Sequence, residues 1–392
     1  MHSFFIVAIA IFAPLFTLNT NASDDNYQPK IKAWPYSIPN SCDAIHDNHA
    51  TVVTLQKHER LQSAVERLRK ISPSGGVIEI QAKNETIECD TIRLKQAFSS
   101  GLTLRGIGMP EFYCRWDNPK YGGTIKKADL KPAFFTAHND DHTVLVEGIE
   151  VNGYKSAFKL GKSGDYTLRN LRAHGGPGDG ISNSNTGGPG KDPYRGIETP
   201  SRFRLQACGV EVSHYGQGNH KHNFYIHRAL GGWPRYGFDT RNEFTLVDSN
   251  IHSPGWASAV KSIANRNNFY NNTITSHIFG EEGFHAQMLI DVSACSVNII
   301  VGNLLRNFKP TKRAGGSAVV GLRGRRTAMR GCDIPITWYP YTNTFSAIPL
   351  ARDPSHPVHS EKWWSELNGK IWFPSIIYNN TIEVLCVSRD AW

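Results

Sequence analysis

The densest group of polar side chains able to carry chemistry lies between residues 213 and 228. Its members include His214, His220, His222, Asn223, Tyr225 and Arg228. Because side chains alternate along an extended segment, His220 and His222 should point the same way. That pair could give two metal ligands, but no nearby Asp or Glu completes a set. An anion-binding, proton-transferring face and a rung of mutually hydrogen-bonded polar groups are the other interpretations.

A second cluster surrounds Lys261, within residues 254–268. The neighbours of this lysine are small or apolar: Ala257, Ala259, Val260, Ile263 and Ala264. A lysine held among such groups can have a lowered pKa and act as a base, or it can act as a fixed cation. The alternative is a surface lysine whose stem covers apolar neighbours while its amine stays in water.

Short apolar segments that end in Asn or Gly recur along the chain, and they predict the architecture that holds these clusters. Examples are residues 102–106, 144–148, 166–170 and 298–302. In the middle of the chain, Leu168, Phe224, Leu246 and Phe269 follow a period of about 22 residues. A strand–turn–strand unit of this length cannot bury its own apolar face, whereas stacked copies can. We therefore predict an all-β, single-domain parallel β-helix with long inserted loops rather than a β-sandwich, with Asn ladders at equivalent turns.

The two ends of the predicted β-helix differ from its middle. Residues 59–71 have helical periodicity, with Leu61, Ala64, Val65 and Leu68 on one face, and a short strand follows at 77–80. This helix should cover the open N-terminal end, in a cap of about residues 50–100. Residues 310–372 depart from the repeat and are interpreted as late, loop-rich coils of the same domain, which we place at 23–392.

Composition and charge restrict the partners and the compartment. The 392 residues are 40% apolar and 20% charged, which excludes a disordered chain, and the net charge of +9 favours an anionic partner. Residues 1–22 have the apolar core and small terminal residue of a signal peptide, so we expect a secreted or periplasmic protein without stable membrane association. Export argues against nucleic acid as the partner. Seven single cysteines exclude a zinc ribbon and allow one or two disulfides.

Tyr225 and Lys261 are 36 residues apart, between one and two coils of such a helix. Coils stack about 4.8 Å apart, so both side chains could converge on one groove. A tyrosine, a lysine, several Asn and His and a basic surface fit β-elimination of a uronate polymer. That reaction needs a group to neutralise the carboxylate (Asn, His or Arg), a base for the C5 proton (Lys, His or Tyr) and an acid for the leaving oxygen (Tyr).

Two of these segments carry a family resemblance. His220-Lys-His-Asn-Phe-Tyr-Ile226 and Ala259-Val-Lys-Ser-Ile-Ala264 resemble the HxHNxYI and KS elements of secreted, right-handed parallel β-helix polysaccharide lyases of the alginate lyase type, in the group that uses a Tyr and a Lys. The likeness covers most of the mature chain in outline and is specific around residues 214–268. It implies that Tyr225 transfers protons, that Lys261 is its partner, and that His222 and Asn223 line the groove. Arg266 is the candidate substitute for an arginine that the family carries directly after Lys-Ser.

The leading hypothesis is thus a secreted lyase acting on alginate or another polyuronate, with Tyr225 and Lys261 as catalytic residues. The predicted substrate-binding residues are His220, His222, Asn223, Arg228 and Arg266. We expect a monomer that needs no metal or other cofactor, although a calcium-assisted lyase stays open. A uronan C5-epimerase and a non-catalytic glycan-binding or cell-surface β-helix are the alternatives. A glycoside hydrolase ranks lower, because Asp179, Asp239, Asp248 and Asp291 form no evident pair in the sequence.

Overall fold

The structure is a computed structural model. It describes residues 51–81, 87–88, 90–114, 131–136, 141–161, 163–183, 203–215, 221–227, 242–253, 257–264, 266–276, 288–293, 297–308, 318–323, 336–339, 344–347, 374–378 and 380–384. The predicted signal peptide, residues 1–22, lies outside these ranges. No helix in the described part of the chain is long and apolar enough to cross a bilayer.

The described strands form three sheets, and the chain visits them in turn. In stacking order, the first sheet contains Val52–Thr54, Gly75–Gln81, Gly101–Ile107, His142–Glu147, Gly164–Arg169, Phe203–Cys208, Asn242–Val247, Arg266–Tyr270, Val297–Val301, Pro374–Tyr378, Thr344–Ala347 and Ile336–Tyr339. The second contains Ile87–Glu88, Glu111–Tyr113, Glu150–Asn152, Arg172–Gly176, Glu211–Tyr215, Asn250–Ser253, Thr273–Ser276, Leu304–Phe308 and Thr381–Val384. The third contains Ile92–Leu94, Phe134–Thr136, Phe158–Leu160, Ile181–Asn183, Phe224–Ile226, Val260–Ser262, Met288–Ser293 and Ala318–Arg323.

Neighbouring strands in all three sheets are parallel along the coils, which confirms the predicted all-β parallel β-helix. The exception among the described strands is a hairpin, Ile336–Tyr339 with Thr344–Ala347, which pairs antiparallel with Pro374–Tyr378 at the end of the first sheet. Within the predicted late coils, Ala318–Arg323 continues the third sheet. The domain boundaries stay a prediction.

The turn from the first sheet to the second explains why the repeats end in Asn or Gly. One residue of this turn has a positive φ in successive coils: Gly148, Asn170, Gly209, Asp248, Asn271 and Gly302, with φ between 48° and 69°. This left-handed region is open to glycine and, at lower cost than for other residues, to Asn and Asp. The recurring Asn or Gly therefore reflects the positive φ that this turn needs in each of these coils.

The predicted asparagine ladder is present one residue after that position. The side-chain amide of Asn272 donates to Oδ1 of Asn303 at 2.8 Å, and the amide of Asn303 donates to Oδ1 of Asn380 at 2.9 Å. Each side chain also bonds main-chain groups, as in the 3.0 Å contact from Asn303 Nδ2 to the carbonyl of Phe269. The ladder ties three coils together across large sequence separations.

The core lies inside the coils and is filled by inward-facing apolar side chains from all three sheets. Aromatic rings from successive coils contact one another: Phe134 stacks on Phe158 at 4.7 Å, and Phe244 meets Phe269 edge to face at 5.2 Å. Phe224 of the third sheet packs on Phe244 of the first at 5.3 Å. These inward side chains thus fix the stacking, and the alternate residues of each strand lie on the outer face.

The helix Leu61–Ile71 closes the N-terminal end as predicted, and the residues it buries are the four expected, Leu61, Ala64, Val65 and Leu68. Arg60 gives the first turn no side-chain cap, and the carboxylate of Asp90 instead accepts from the Leu61 N–H at 2.6 Å. The strand expected at 77–80 spans Gly75–Gln81.

The predicted period of about 22 residues is correct for only some coils. Leu168, Leu246 and Phe269 share one column of the first sheet, but Phe224 belongs to the third sheet. The coils between Leu168 and Ala207 and between Ala207 and Leu246 each take 39 residues. The error has a physical cause: all three strands of a coil carry the same short apolar pattern, so spacing alone does not identify the sheet.

Candidate functional site

Tyr225 and Lys261 lie next to each other on the outer face of the third sheet. They are register partners on the adjacent parallel strands Phe224–Ile226 and Val260–Ser262. The outer-face row continues in both directions, and its members from the N-terminal side are Arg93, Phe135, Lys159, Ser182, Tyr225, Lys261, Asp291 and Gly321. The 36-residue interval is therefore a single coil, and not between one and two as the spacing indicated, because 15 residues separate the strand Phe224–Ile226 from the next strand, Asn242–Val247.

The amine of Lys261 lies 5.1 Å from the centroid of the Tyr225 ring, within the range of a cation–π contact. Both side chains are partly buried. The apolar neighbours of Lys261 do not enclose its amine: Val260 is fully buried and faces the core on the opposite side of the strand. Lys261 thus stands on the outer face as a cation beside a phenol.

Two histidine rings lie close to the Tyr225 ring. The ring centroid of His222 is 4.9 Å away and that of His227 is 4.0 Å away. Burial raises the pKa of the Tyr225 phenol, and the nearby carboxylates of Asp179 and Asp291 raise it further. The phenol therefore keeps its proton at neutral pH and can donate it.

His227 was part of the polar cluster in the sequence but was not singled out. Burial lowers its pKa to about 4, and the positive charges of Lys261, Lys221 and Lys159 act in the same direction. Its imidazole is thus neutral at physiological pH. The signal that could have identified it is its position two residues after Tyr225, which puts both on one side of an extended segment.

His222 is buried and held from two sides. Its Nδ1 donates to the Ser258 carbonyl at 2.8 Å, and its main-chain N–H donates to the Asp179 carboxylate at 2.9 Å. The Ser258 hydroxyl in turn donates to Asp291 at 3.3 Å. His222 is one of the predicted groove residues, and its ring lies against that of Tyr225.

Asn223 does not fit its predicted role as a substrate contact, because its side chain is fully buried. Its amide donates to the carbonyl of His252 at 2.8 Å and accepts from the main chain of Tyr215 at 3.3 Å. Asn223 therefore joins the second and third sheets through these two hydrogen bonds. The physical reason is that it precedes the strand and turns inward, where main-chain groups need partners.

Arg266 lies on a strand of the first sheet, not in the third-sheet row. It is buried, and its Nε donates to Oδ1 of Asn268 at 3.1 Å and lies 3.9 Å from the Glu243 carboxylate. These neighbours do not place it beside Tyr225. His220 and Arg228 lie outside the described residues.

Two carboxylates flank the site. Asp179 accepts from the His222 N–H and lies 3.4 Å from the amine of Lys221, and burial raises the pKa of its carboxyl group. Asp291 is buried and is the register partner of Lys261. Asp248 lies at a first-to-second-sheet turn, and Asp239 is outside the described residues. In the described part of the chain, no group of three or more His, Cys, Asp or Glu could hold a metal ion.

The outer face of the third sheet therefore has a proton donor, a neutral imidazole and several cations within one small area. Such a combination can bind an anion and move protons next to it. The comparisons with known proteins add no relative: no family model, no curated protein and no solved structure matches this chain.

Proposed function

We propose that the protein is a secreted polysaccharide lyase that cleaves a uronate-containing polysaccharide, such as alginate, by β-elimination. The observation that carries this proposal is the pairing of Tyr225 and Lys261 in register on one outer face, with the amine 5.1 Å from the ring. A phenol and a cation in this arrangement can act on one sugar unit at the same time.

The reaction requires three groups, and this face offers candidates for each. A cation must neutralise the uronate carboxylate so that the C5 proton becomes acidic, and a base must take that proton. An acid must protonate the departing glycosidic oxygen. The raised pKa of Tyr225 fits the acid. Lys261 and the two neighbouring imidazoles are the candidates for the other two tasks.

The surroundings of the site support an anionic polymer as the substrate. Lys159 and Lys221 add positive charge near the Tyr225–His227 pair, as their effect on the pKa of His227 shows. The chain as a whole carries a net charge of +9. Both features favour the approach of a polyanion.

The cysteines support export. Cys114 and Cys208 are each disulfide-bonded, which is typical of proteins that fold in an oxidising compartment. Together with the apolar N-terminal segment, this favours a secreted or periplasmic location.

The test is a panel of acidic polysaccharides, with release of unsaturated product followed by ultraviolet absorbance. We expect activity on at least one polyuronate. Tyr225→Phe and Lys261→Ala should each lower kcat by about 10²- to 10⁴-fold, the usual contribution of a positioned proton donor or charge. The control variants Tyr113→Phe and Lys70→Ala remove a phenolic hydroxyl and an amine outside the site, and they should leave kcat unchanged.

Other outcomes of this test point to other functions. Full activity in either site variant would refute the site assignment. Tight binding of a polyuronate without chain shortening would favour a glycan-binding protein. Inversion at C5 without cleavage, seen by NMR, would favour an epimerase, which begins with the same proton abstraction.

A glycoside hydrolase is a second candidate because the structure places Asp179 and Asp291 close enough to one ring for both to raise its pKa. The raised pKa of Asp179 itself fits a general acid. Saturated products, lost in Asp179→Asn but retained in Tyr225→Phe, would favour hydrolysis over elimination.

A further inference from the structure

His227 is held in a fixed position beside the reacting tyrosine. Its main-chain N–H donates to Oδ1 of Asn183 at 2.6 Å, and its carbonyl accepts from Nδ2 of the same side chain at 3.0 Å. Asn183 belongs to the preceding coil, so the clamp joins two strands. The His227 ring therefore meets the Tyr225 ring, 4.0 Å away, from a backbone that the sheet holds in place.

Charges of both signs surround the His227–Tyr225 pair, and Lys261 itself lies 5.1 Å from the Tyr225 ring. Three lysines, Lys159, Lys221 and Lys261, act on the imidazole. Two carboxylates, Asp179 and Asp291, act on the phenol. Burial, with the lysines as a smaller cause, disfavours a proton on His227, whose pKa falls to about 4. Burial, with the carboxylates as a smaller cause, favours the proton on Tyr225. The surroundings thus keep the imidazole unprotonated and the phenol protonated at neutral pH, the states that a base and an acid must have before the reaction.

We propose that His227 is the base that removes the C5 proton of the uronate, that Tyr225 is the acid, and that Lys261 holds the carboxylate as a cation. This inference rests on the proposed lyase function and assigns roles within the same site. It separates Lys261 from proton abstraction, a role that the sequence left open among lysine, histidine and tyrosine.

The elimination balances with these groups alone. A neutral ring nitrogen of His227 takes the C5 proton, and the C–H electron pair forms the C4–C5 double bond. The C4–O bond breaks, its electron pair goes to the glycosidic oxygen, and the Tyr225 hydroxyl gives that oxygen its proton. The imidazolium then returns its proton to the phenolate in contact with it, which restores both groups without consuming water.

Lys261→Arg separates the two possible roles of the lysine. A guanidinium keeps the positive charge but cannot act as a base at neutral pH. If Lys261 only holds the carboxylate, the arginine variant should stay within about 10-fold of the wild-type rate, while Lys261→Ala falls about 10²-fold or more. If Lys261 is the base, both variants should be equally inactive, and the proposal is wrong.

His227→Ala supplies the complementary test. We expect kcat to fall by about 10²- to 10⁴-fold and to recover in part with added imidazole. The matched control is His174→Gln, a change at a partly exposed histidine of the second sheet, and it should leave kcat unchanged. A His227→Ala variant with wild-type activity would overturn the assignment of the base.

The pH profile gives a readout that a purely structural role of His227 would not change. Wild-type kcat/KM should fall on the acid side with an apparent pKa near 4, the value of the His227 imidazole in the folded enzyme without substrate. Lys159→Gln removes one of the three cations, so this limb should move to higher pH. An unmoved limb contradicts the proposal. If the wild type releases no unsaturated product from any polyuronate, the lyase function itself fails, and this inference falls with it.

Discussion

Replacing His227 should change how the stability of the protein depends on pH, whether or not a substrate is known. The pKa of this imidazole is about 4 in the folded protein and 6.5 ordinarily. The unfolded chain therefore binds the proton more readily, and protonation favours unfolding. This contribution to stability is fully present above pH 6.5 and is lost as the pH falls towards 4.

The expected size follows from that difference. A gap of about 2.5 pKa units corresponds to about 3 kcal/mol of unfolding free energy once both states are protonated, at about 1.36 kcal/mol per unit. Between pH 7 and pH 5, about 2 kcal/mol of this is lost. His227→Gln cannot take up the proton, so the variant should lose about 2 kcal/mol less than the wild type over the same interval.

Urea unfolding of both proteins at the two pH values measures this double difference, with the m value checked for constancy. Other groups that titrate in this range are common to both proteins and cancel. If the wild type and His227→Gln lose stability in parallel, the imidazole is not held neutral by its surroundings, and the assignment of the base loses its electrostatic support. Titration of the His227 ring by NMR would locate the same pKa directly.

Three further predictions concern the turns and the basic residues Arg93 and Lys159 of the outer-face row. Asn303→Ala should cost about 3 kcal/mol or more in urea unfolding, because it leaves several buried partners in the ladder unsatisfied, while Asn380→Ala at the less buried end should cost about 1 kcal/mol. Asn170→Val should cost roughly 1–2 kcal/mol, because its φ of 49° disfavours a β-branched residue, and Asn170→Gly should be close to neutral; equal costs would contradict the backbone argument. Arg93→Gln and Lys159→Gln should weaken binding of long polyuronates more than of short oligosaccharides, measured by calorimetry at low salt. If both variants weaken the binding of long and short chains equally, the outer-face row does not contact successive sugars of the polymer.

The architecture could be predicted because its requirements are local and repeated. Asn170 and Gly302 mark turns that need a positive φ, and Asn272 and Asn303 follow at the position where a ladder forms. Helical periodicity likewise identified the four residues that Leu61–Ile71 buries. Each of these signals depends on backbone conformation or on the alternation of side chains within a few residues, which the sequence records directly.

The site could be predicted only in part, because it depends on which strands become neighbours. Residue types and a family resemblance selected Tyr225 and Lys261, but only the register of two parallel strands showed that a single coil separates them. The same strand pattern occurs in all three sheets, so Phe224 could not be assigned to one of them from spacing.

The sequence by itself thus determined the repeated coil, because short-range periodicity and turn chemistry are enough to specify it. The tertiary structure alone decided that Asn223 turns inward to main-chain groups while His227 meets the Tyr225 ring. It also decided that the two rings are buried among lysines and carboxylates, which lowers the pKa of the imidazole and raises that of the phenol. The burial and the local charge of a site depend on residues that are distant in the chain, and these residues become neighbours only when the coils stack.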